Sequence, residues 1–325
     1  MLELTQVRLP NSDQSFDHRF TSGEICVVLG ANLAGKTDLC RLIAGLPTRA
    51  TGQVTLDGQD LAALPIRNRP VAMVYQAFIN YPNLTVAENI ASPMRARRQG
   101  REEIEAQVAE LAAKLQIQDL LQRLPAELSG GQQQRLAIAR ALAKQARVLL
   151  LDEPLVNLDF KLREALEAEL RTLLQASDTV VLYTASDPRD AFTLGDQVLL
   201  LDAGDKLQAG PPMDVYTTPA NLPALQLLSD PRANLCTLDS QLSAIRPEHL
   251  RLDASADHQF TLTVTASETN GDETFVHGRL HTPDDHADDN QDWVVRTPGM
   301  PDITVGGDIT ISARHQDVHT FGAAG

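Results

Sequence analysis

Several residue types are scarce in this sequence, and each shortage excludes a class of protein. The 325 residues include three cysteines, too few and too scattered for a disulfide framework or a zinc site. Basic residues number 28 against 43 acidic ones, so a basic groove for nucleic acid is not expected. No apolar run approaches the ~20 residues of a membrane span, and the N-terminus lacks the apolar core of a signal peptide. These shortages predict a globular protein of the reducing cytosol.

The chain is long enough for two domains and, with 43% hydrophobic residues, apolar enough to bury a core in each. Up to about residue 235, short apolar runs alternate with segments of helical period. This pattern predicts an α/β fold with a mainly parallel sheet, whose strands are buried on both faces. The strands are predicted at 25–29, 71–75, 148–151, 180–184 and 198–201, and the helices at 102–115, 132–143 and 161–174.

The composition changes at about residue 238, where short β-rich segments separated by Gly, Asp, Asn and Pro begin. These segments predict a small antiparallel barrel or sandwich. They lie at 260–266, 274–280, 293–296 and 308–313. Residues 221–234, which include two prolines, are predicted to connect the domains. We therefore expect one domain over 1–235 and a second, all-β domain over 236–325.

A glycine-rich segment, GANLAGKT from Gly30 to Thr37, follows a predicted strand and opens a helix. It fits the GxxxxGK[ST] pattern, whose glycines permit the tight turn in which successive N–H groups wrap a phosphate. Lys36 is expected to reach the β- and γ-phosphates, and Thr37 to offer its hydroxyl to Mg²⁺. The predicted nucleotide-binding residues of this segment are Gly30, Asn32, Gly35, Lys36, Thr37 and Asp38.

A carboxylate pair, Asp152 and Glu153, ends the predicted strand at 148–151. Ligands bind at the carboxyl ends of the strands in open α/β sheets. Asp152 is expected to hold Mg²⁺, and Glu153 to polarise the attacking water as general base. Together with the phosphate loop, the pair is strong evidence for hydrolysis of a nucleotide such as ATP.

The segment LSGGQ at 128–132 resembles the signature of the ABC-type ATPases. On the residues alone it is a polar loop in which a serine caps a helix. The resemblance implies a P-loop NTPase fold, in which Ser129, Gly130, Gly131 and Gln132 contact the γ-phosphate of the ATP bound by the opposite subunit. ATP would then lie between two chains, so the resemblance implies a dimer.

Other landmarks of that family follow in order. Gln76 matches the Q-loop glutamine, for which the resemblance implies a catalytic role and contacts with Mg²⁺ and water. Residues 155–159 (LVNLD) match the D-loop, at the dimer seam. Residues at about 80–145 resemble the helical subdomain that docks on a membrane permease.

The resemblance is closer to the carbohydrate-importer branch, the maltose and glycerol-phosphate type. It rests on YPNLTV at 81–86, on KLR at 161–163, and on RPEH at 246–249, which begins a tail similar to the OB-like regulatory domain called TOBE. The stretches LAGKT, FINYP and IASPMR are most similar to one of the paired ATPases of bacterial glycerol importers. This implies two permease subunits, an external solute-binding protein, and a peripheral location at the cytoplasmic face of the bacterial inner membrane.

Histidine is missing where that family places one, at the end of the strand after the Asp-Glu pair. Matching YTASDPRDA at 183–191 to the family pattern HDxxxA places Ser186 at the histidine position, and no histidine occurs between His18 and His249. A serine hydroxyl can donate a hydrogen bond but cannot carry charge. We therefore predict slow hydrolysis at this chain's own site, and we favour a heterodimer with a histidine-bearing ATPase over a homodimer.

Two alternative functions stay open from the sequence. The chain could be a regulatory subunit that barely hydrolyses ATP, or a soluble ABC ATPase acting on nucleic acid or the ribosome, which the acidic composition disfavours. The solute is undetermined, although glycerol is favoured. The family offers an aromatic ring to adenine near the N-terminus, where Phe16 is the nearest candidate; packing under the sheet is its alternative role.

Overall fold

The computed structural model describes residues 1–156, 160–175, 178–281 and 292–322. These residues form two compact units, Met1–Thr218 and Pro219–Gly325. In the first unit the strands are β1 (Leu2–Arg8), β2 (Phe16–Phe20), β3 (Ile25–Leu29), β4 (Thr51–Leu56), β5 (Gln59–Asp60), β6 (Val71–Val74), β7 (Val148–Asp152), β8 (Val180–Ala185), β9 (Gln197–Asp202) and β10 (Asp205–Gly210). Its helices are α1 (Lys36–Ala44), α2 (Val86–Ala96), α3 (Arg101–Lys114), α4 (Gly130–Ala143), α5 (Phe160–Gln175), α6 (Pro188–Leu194) and α7 (Pro212–Thr217).

A mainly parallel sheet forms the centre of the first unit. Its strand order is β10-β9-β3-β8-β7-β6, and only β10 runs antiparallel to its neighbour. All five strands predicted from apolar runs lie in this sheet, so the predicted α/β fold is confirmed. Because β3, β8 and β7 are neighbours that run the same way, their carboxyl ends meet at one edge of the sheet.

A second, antiparallel sheet in the first unit was not predicted. Its strand order is β2-β1-β4-β5. In β1 the apolar residues Leu2, Leu4 and Val7 point into the core, but the pairing register shifts between Leu4 and Val7. This irregularity obscures the two-residue period by which a half-buried strand is recognised. Helix α1 contacts both β4 and β7, and so lies against both sheets.

Helices α2, α3 and α4 pack against one another in the chain between β6 and β7. Thr85 and Glu88 form a reciprocal capping box at the start of α2. The buried side chain of Asn89 donates to the carbonyls of Tyr81, Leu84 and Thr85, at 2.9–3.1 Å, and accepts from the Tyr81 N–H. One amide therefore holds the whole turn that leads into α2.

The second unit is β-rich, as predicted. Its elements are α8 (Leu222–Leu227), β11 (Asn234–Leu238), β12 (Gln241–Ile245), β13 (His258–Thr269), β14 (Glu273–Leu280), β15 (Asp292–Pro298), β16 (Asp308–Ala313) and β17 (Val318–Phe321). Two antiparallel sheets, β11-β12-β17 and β15-β14-β13-β16, are built from these strands. Their core includes Trp293, whose ring lies 4.9 Å from that of Phe260.

The chain divides earlier than the expected boundary at residue 235. The segment 221–234, expected to be a connector, contains α8, whose first turn is capped by the Asn221 side chain at 2.9 Å from the Ala224 N–H. Leu225 of this helix is buried with Ala233 and Ala244 of the second unit. Burial of one apolar face therefore attaches α8 to the β-rich unit.

Candidate functional site

The glycine-rich loop joins β3 to α1 at the carboxyl edge of the parallel sheet. Gly30 has no room for a side chain, because a Cβ would lie 2.4 Å from the Leu201 carbonyl oxygen. Gly35 is the N-cap of α1 with φ 98°, a left-handed conformation that favours glycine. No side chain of the described residues caps α1, so its first N–H groups are available to an anion.

Lys36 is the centre of the site, and only 5% of its side chain is exposed. Its Nζ donates to the carbonyl oxygens of Gly30 at 2.7 Å and Ala31 at 3.1 Å. It also donates to Ser186 Oγ at 2.9 Å and forms an ion pair with Glu153 Oε1 at 3.1 Å. The ammonium is therefore held by four oxygen atoms of the protein itself.

Asp152 lies at the end of β7 and is almost fully buried. Its Oδ1 accepts hydrogen bonds from Thr37 Oγ1 at 3.1 Å and Thr184 Oγ1 at 3.0 Å. Burial raises the pKa of this carboxyl, and the two hydroxyls and Lys36 oppose that change. A cation bound here would stabilise the charged form of Asp152.

Glu153 follows on a strained turn, with φ 46°. Its carboxylate accepts from Ser186 Oγ at 2.8 Å and from Gln76 Nε2 at 3.2 Å, in addition to the Lys36 ion pair. Its backbone N–H donates to Thr184 Oγ1 at 2.9 Å. Six residues predicted from sequence therefore meet at one point: Lys36, Thr37, Gln76, Asp152, Glu153 and Ser186.

Thr184 was missed by sequence reasoning, although it contacts both the Asp152 carboxylate and the main chain of Glu153. Its hydroxyl donates to Asp152 and accepts from the Glu153 N–H, and it stands beside Asp152 in the register of β7 and β8. The signal that could have found it was a polar residue at the end of an otherwise apolar run. Such a residue, when fully buried, requires a partner.

The signature residues lie in a different part of the chain, at the start of α4. Ser129 and Gln132 cap that helix reciprocally, the Ser129 N–H lying 3.0 Å from Gln132 Oε1. Ser129 and Gly130 are exposed, and a Cβ on Gly130 would meet nothing within 4 Å. The four signature residues, Ser129 to Gln132, therefore lie where a second molecule could contact them.

Two predicted residues of the phosphate loop do not bond to the cluster of described residues around Lys36. Asn32 is exposed, and Asp38 accepts a 2.6 Å hydrogen bond from Thr48 Oγ1. Of the D-loop match at 155–159, residues 157–159 lie outside the described part of the chain.

The rings of Phe16 and His18, near the N-terminus, pack within the first unit. Phe16 lies opposite Val7 across β1 and β2 and packs against the core, which favours the packing role over stacking on a base. The His18 ring lies edge-on to Phe20, with centroids 4.6 Å apart. Burial, and then Lys206, lowers the pKa of His18 to about 4.

Comparison with known proteins agrees with this geometry. The family model described as ABC transporter matches residues 14–156, and the TOBE domain model matches residues 243–321. The sn-glycerol-3-phosphate import ATP-binding protein UgpC of Rhodopseudomonas palustris (strain BisA53) is 35% identical over 96% of this chain and 93% of its own. The alpha-glucoside transport ATP-binding protein AglK of Rhizobium meliloti (strain 1021) is 34% identical over 93% of this chain and 91% of its own.

One solved structure with the same fold is cbiO1 from Clostridium perfringens, part of the ABC transporter complex cbiONQ. It has a TM-score of 0.59 and 21% identity, and the match covers 66% of this chain and 90% of that one. In the described ranges, no helix is both long and apolar enough to cross a membrane. The chain belongs to the ABC transporter family, in the branch of the carbohydrate and glycerol-phosphate import ATPases. It is an ATP-binding ATPase subunit with a C-terminal TOBE domain.

Proposed function

We propose that this chain powers the uptake of a small polyol or sugar-type solute, with glycerol favoured, through two separate permease subunits. An external solute-binding protein would deliver the solute, and the chain would sit at the cytoplasmic face of the bacterial inner membrane. The ATP-hydrolysing part of this proposal is supported most strongly by the meeting of Lys36, Asp152, Glu153 and Ser186 at the end of the parallel sheet. The names of the relatives, which import sn-glycerol-3-phosphate and alpha-glucoside, support the solute class.

The nucleotide would bind with its phosphates on the loop from Gly30 to Thr37. Lys36 would exchange its bonds to Glu153 and Ser186 for phosphate oxygens, which frees the Glu153 carboxylate to accept a proton from the attacking water. Gln76, 3.2 Å from Glu153, would orient that water. Asn32 and Asp38 would flank the phosphates from the loop and from the first turn of α1.

The donors present suit Mg²⁺. Asp152 and Thr37 place a carboxylate and a hydroxyl 3.1 Å apart, and hard oxygen ligands are the ones that Mg²⁺ prefers. Thr37 and Asp152 would hold the ion, with Gln76 as a further ligand. When bound, it supplies positive charge that neutralises the phosphates.

The partner ATPase would complete the site. The exposed turn at Ser129, Gly130, Gly131 and Gln132 presents a helix N-terminus, which attracts anions. We infer that it contacts the ATP of the opposite subunit. Because Ser186 lacks the charge that a histidine can carry, we favour a heterodimer in which the partner supplies the faster site.

A groove beside α2 and α4 suits the permease. Its volume is about 380 Å³, and its lining includes Met73, Tyr75, Tyr81, Ser92 and Ala137. Tyr81 is half exposed, and the Arg140 guanidinium lies over its ring at 4.6 Å. We infer that a cytoplasmic helix of the permease docks here, so that closing of the dimer moves the permease.

The test is reconstitution of the complete transporter. We expect proteoliposomes that contain this chain, a histidine-bearing partner ATPase and two permeases to take up labelled glycerol when ATP is enclosed and the solute-binding protein is added outside. Lys36→Ala should abolish ATP binding at the site on this chain's own phosphate loop. Lys114→Ala is the control, because Lys114 pairs with exposed Glu110 one turn earlier on α3.

Uptake of sn-glycerol-3-phosphate or an alpha-glucoside instead would change the solute and keep the function. Equal ATP-driven uptake in proteoliposomes that lack this chain would contradict the proposed function.

A second candidate function, a subunit that binds ATP but barely hydrolyses it, is favoured by the bonds of Ser186 to Lys36 and Glu153. It would be indicated by normal MgATP affinity together with turnover at the background rate.

A further inference from the structure

Three carboxylates converge on one guanidinium behind the Ser186 turn. Arg163 on α5 donates through Nε to Glu167 Oε1 at 2.7 Å, and through Nη2 to Asp190. The same Nη2 lies 3.4 Å from Asp187 Oδ2. The side chains are 21% exposed for Arg163, 12% for Glu167, 20% for Asp187 and 6% for Asp190. Ion pairs this buried are costly to break by removal of one partner.

The charges around this cluster are nearly balanced. Arg189 also pairs with Asp187, at 2.8 Å, and the buried ring of Tyr183 on β8 is the neighbour on the sheet side. Burial raises the pKa of Asp190 to about 6, although Arg163 opposes this. A guanidinium presents five N–H donors in one rigid plane, so a single arginine can bond carboxylates that approach it from different sides of that plane's edge.

The cluster is joined to the ATP site through two consecutive residues. Ser186 points to Lys36 and Glu153, whereas Asp187 is bound by Arg163 and caps α6, its Oδ1 accepting from the Arg189 N–H at 2.9 Å. A shift of Asp187 would therefore move Ser186. The partners of Arg163 lie on α5 and at the start of α6, away from the phosphate loop, so its influence on the ATP site passes through this turn.

We propose that Arg163 is a positioning residue for hydrolysis: by holding Asp187, Asp190 and Glu167, it keeps the turn between β8 and α6 where the Ser186 hydroxyl contacts Lys36 and Glu153. This inference rests on the proposed function for its catalytic part. Its structural part, energetic coupling between Arg163 and Ser186, does not depend on ATP.

The test is a double-mutant cycle on the full-length protein with Arg163→Gln, Ser186→Ala and the double variant. In Arg163→Gln, the single-turnover rate constant for hydrolysis of radiolabelled ATP should be at least about fivefold lower than in the unmodified protein. The KM for ATP, from steady-state assays, should change less than about twofold. In the Ser186→Ala background, Arg163→Gln should change the rate less than about twofold. Arg163→Lys keeps the charge and should restore part of the rate.

The matched control is Arg171→Gln. Arg171 lies on the same helix but bonds the Thr193 carbonyl and Asp196, at the other end of α6. Its effect should be the same in the unmodified protein and in the Ser186→Ala background. If Arg163→Gln behaves like this control, Arg163 merely stabilises the fold and the proposal is wrong.

A second measurement covers the case of turnover too slow to follow. Urea unfolding of the same four proteins should give a coupling of about threefold or more in the unfolding constant between positions 163 and 186. Additive effects there would overturn the proposal. The unfolding experiment could show coupling between positions 163 and 186 while the unmodified protein fails to bind MgATP. That result would support the positioning contact and contradict the proposed function.

Discussion

Replacement of Ser186 by histidine is the perturbation that tests the ATP site most directly. The Ser186 Oγ lies 2.8 Å from Glu153 Oε1 and 2.9 Å from Lys36 Nζ, so a donor at this position is within reach of both the proposed base and the phosphate-binding lysine. Ser186 is exposed, which leaves room for the larger ring. Ser186→His should therefore place an imidazole where the γ-phosphate would be contacted.

The size of the effect follows from the value of one positioned donor, about 2.7–4 kcal/mol or 10²–10³ in rate. The lower end applies here for two reasons. Solvent reaches position 186 and weakens an electrostatic contact, and the charge of Lys36 opposes the positive charge that an imidazole beside Glu153 would carry. We expect kcat to rise about a hundredfold, with the KM for ATP nearly unchanged.

The assay is steady-state phosphate release by the purified chain alone, with Ser186→Ala as the matched control. Glu153→Gln should remove the gain, which would assign the added turnover to this chain's own site. An unchanged rate in Ser186→His, in a variant that still binds MgATP, would refute the reasoning. So would a rapid rate in the unmodified chain, because serine would then suffice.

Two further predictions concern stability. The pKa of His18 is about 4 in the fold against 6.5 in the unfolded chain, so the unfolded chain binds more protons between these pH values. The stability that depends on neutral His18 is therefore fully present above pH 6.5 and is lost as the pH falls toward 4. In urea unfolding, the loss between pH 7.5 and pH 5 should be about 2 kcal/mol larger in the unmodified protein than in His18→Gln; equal losses would contradict the pKa assignment. Leu33 has φ 69° and is 87% exposed, so Leu33→Gly should relieve left-handed strain and raise the free energy of unfolding by about 0.5–1 kcal/mol after the entropy cost of glycine. Leu33→Ala, which keeps the strain, should give no gain in thermal unfolding, and a gain equal to that of glycine would exclude strain as the cause.

The local sequence pattern was sufficient to predict the parallel sheet and the residue types of the candidate site. Strands such as Val148–Asp152 are buried along their whole length, so they appear in the sequence as unbroken apolar runs. The antiparallel sheet containing Leu2–Arg8 is not predicted, because the register shift interrupts the two-residue alternation of this strand. Local pattern assigns α8 to a connector, because its attachment to the second unit comes from contact with Ala233 and Ala244, which no local pattern reveals.

The amino-acid order alone is enough to recognise a phosphate loop, a carboxylate pair, an ABC signature and a serine where the family places a histidine. Those features are local, since each depends on residues within a few positions of one another. The three-dimensional fold was needed to show that Lys36, Glu153 and Ser186 share hydrogen bonds, that Thr184 bonds the Asp152 carboxylate and the Glu153 main chain, and that Arg163 lies behind the Ser186 turn. These contacts depend on how parallel strands from distant parts of the chain align at one edge of the sheet, and no local period records that alignment.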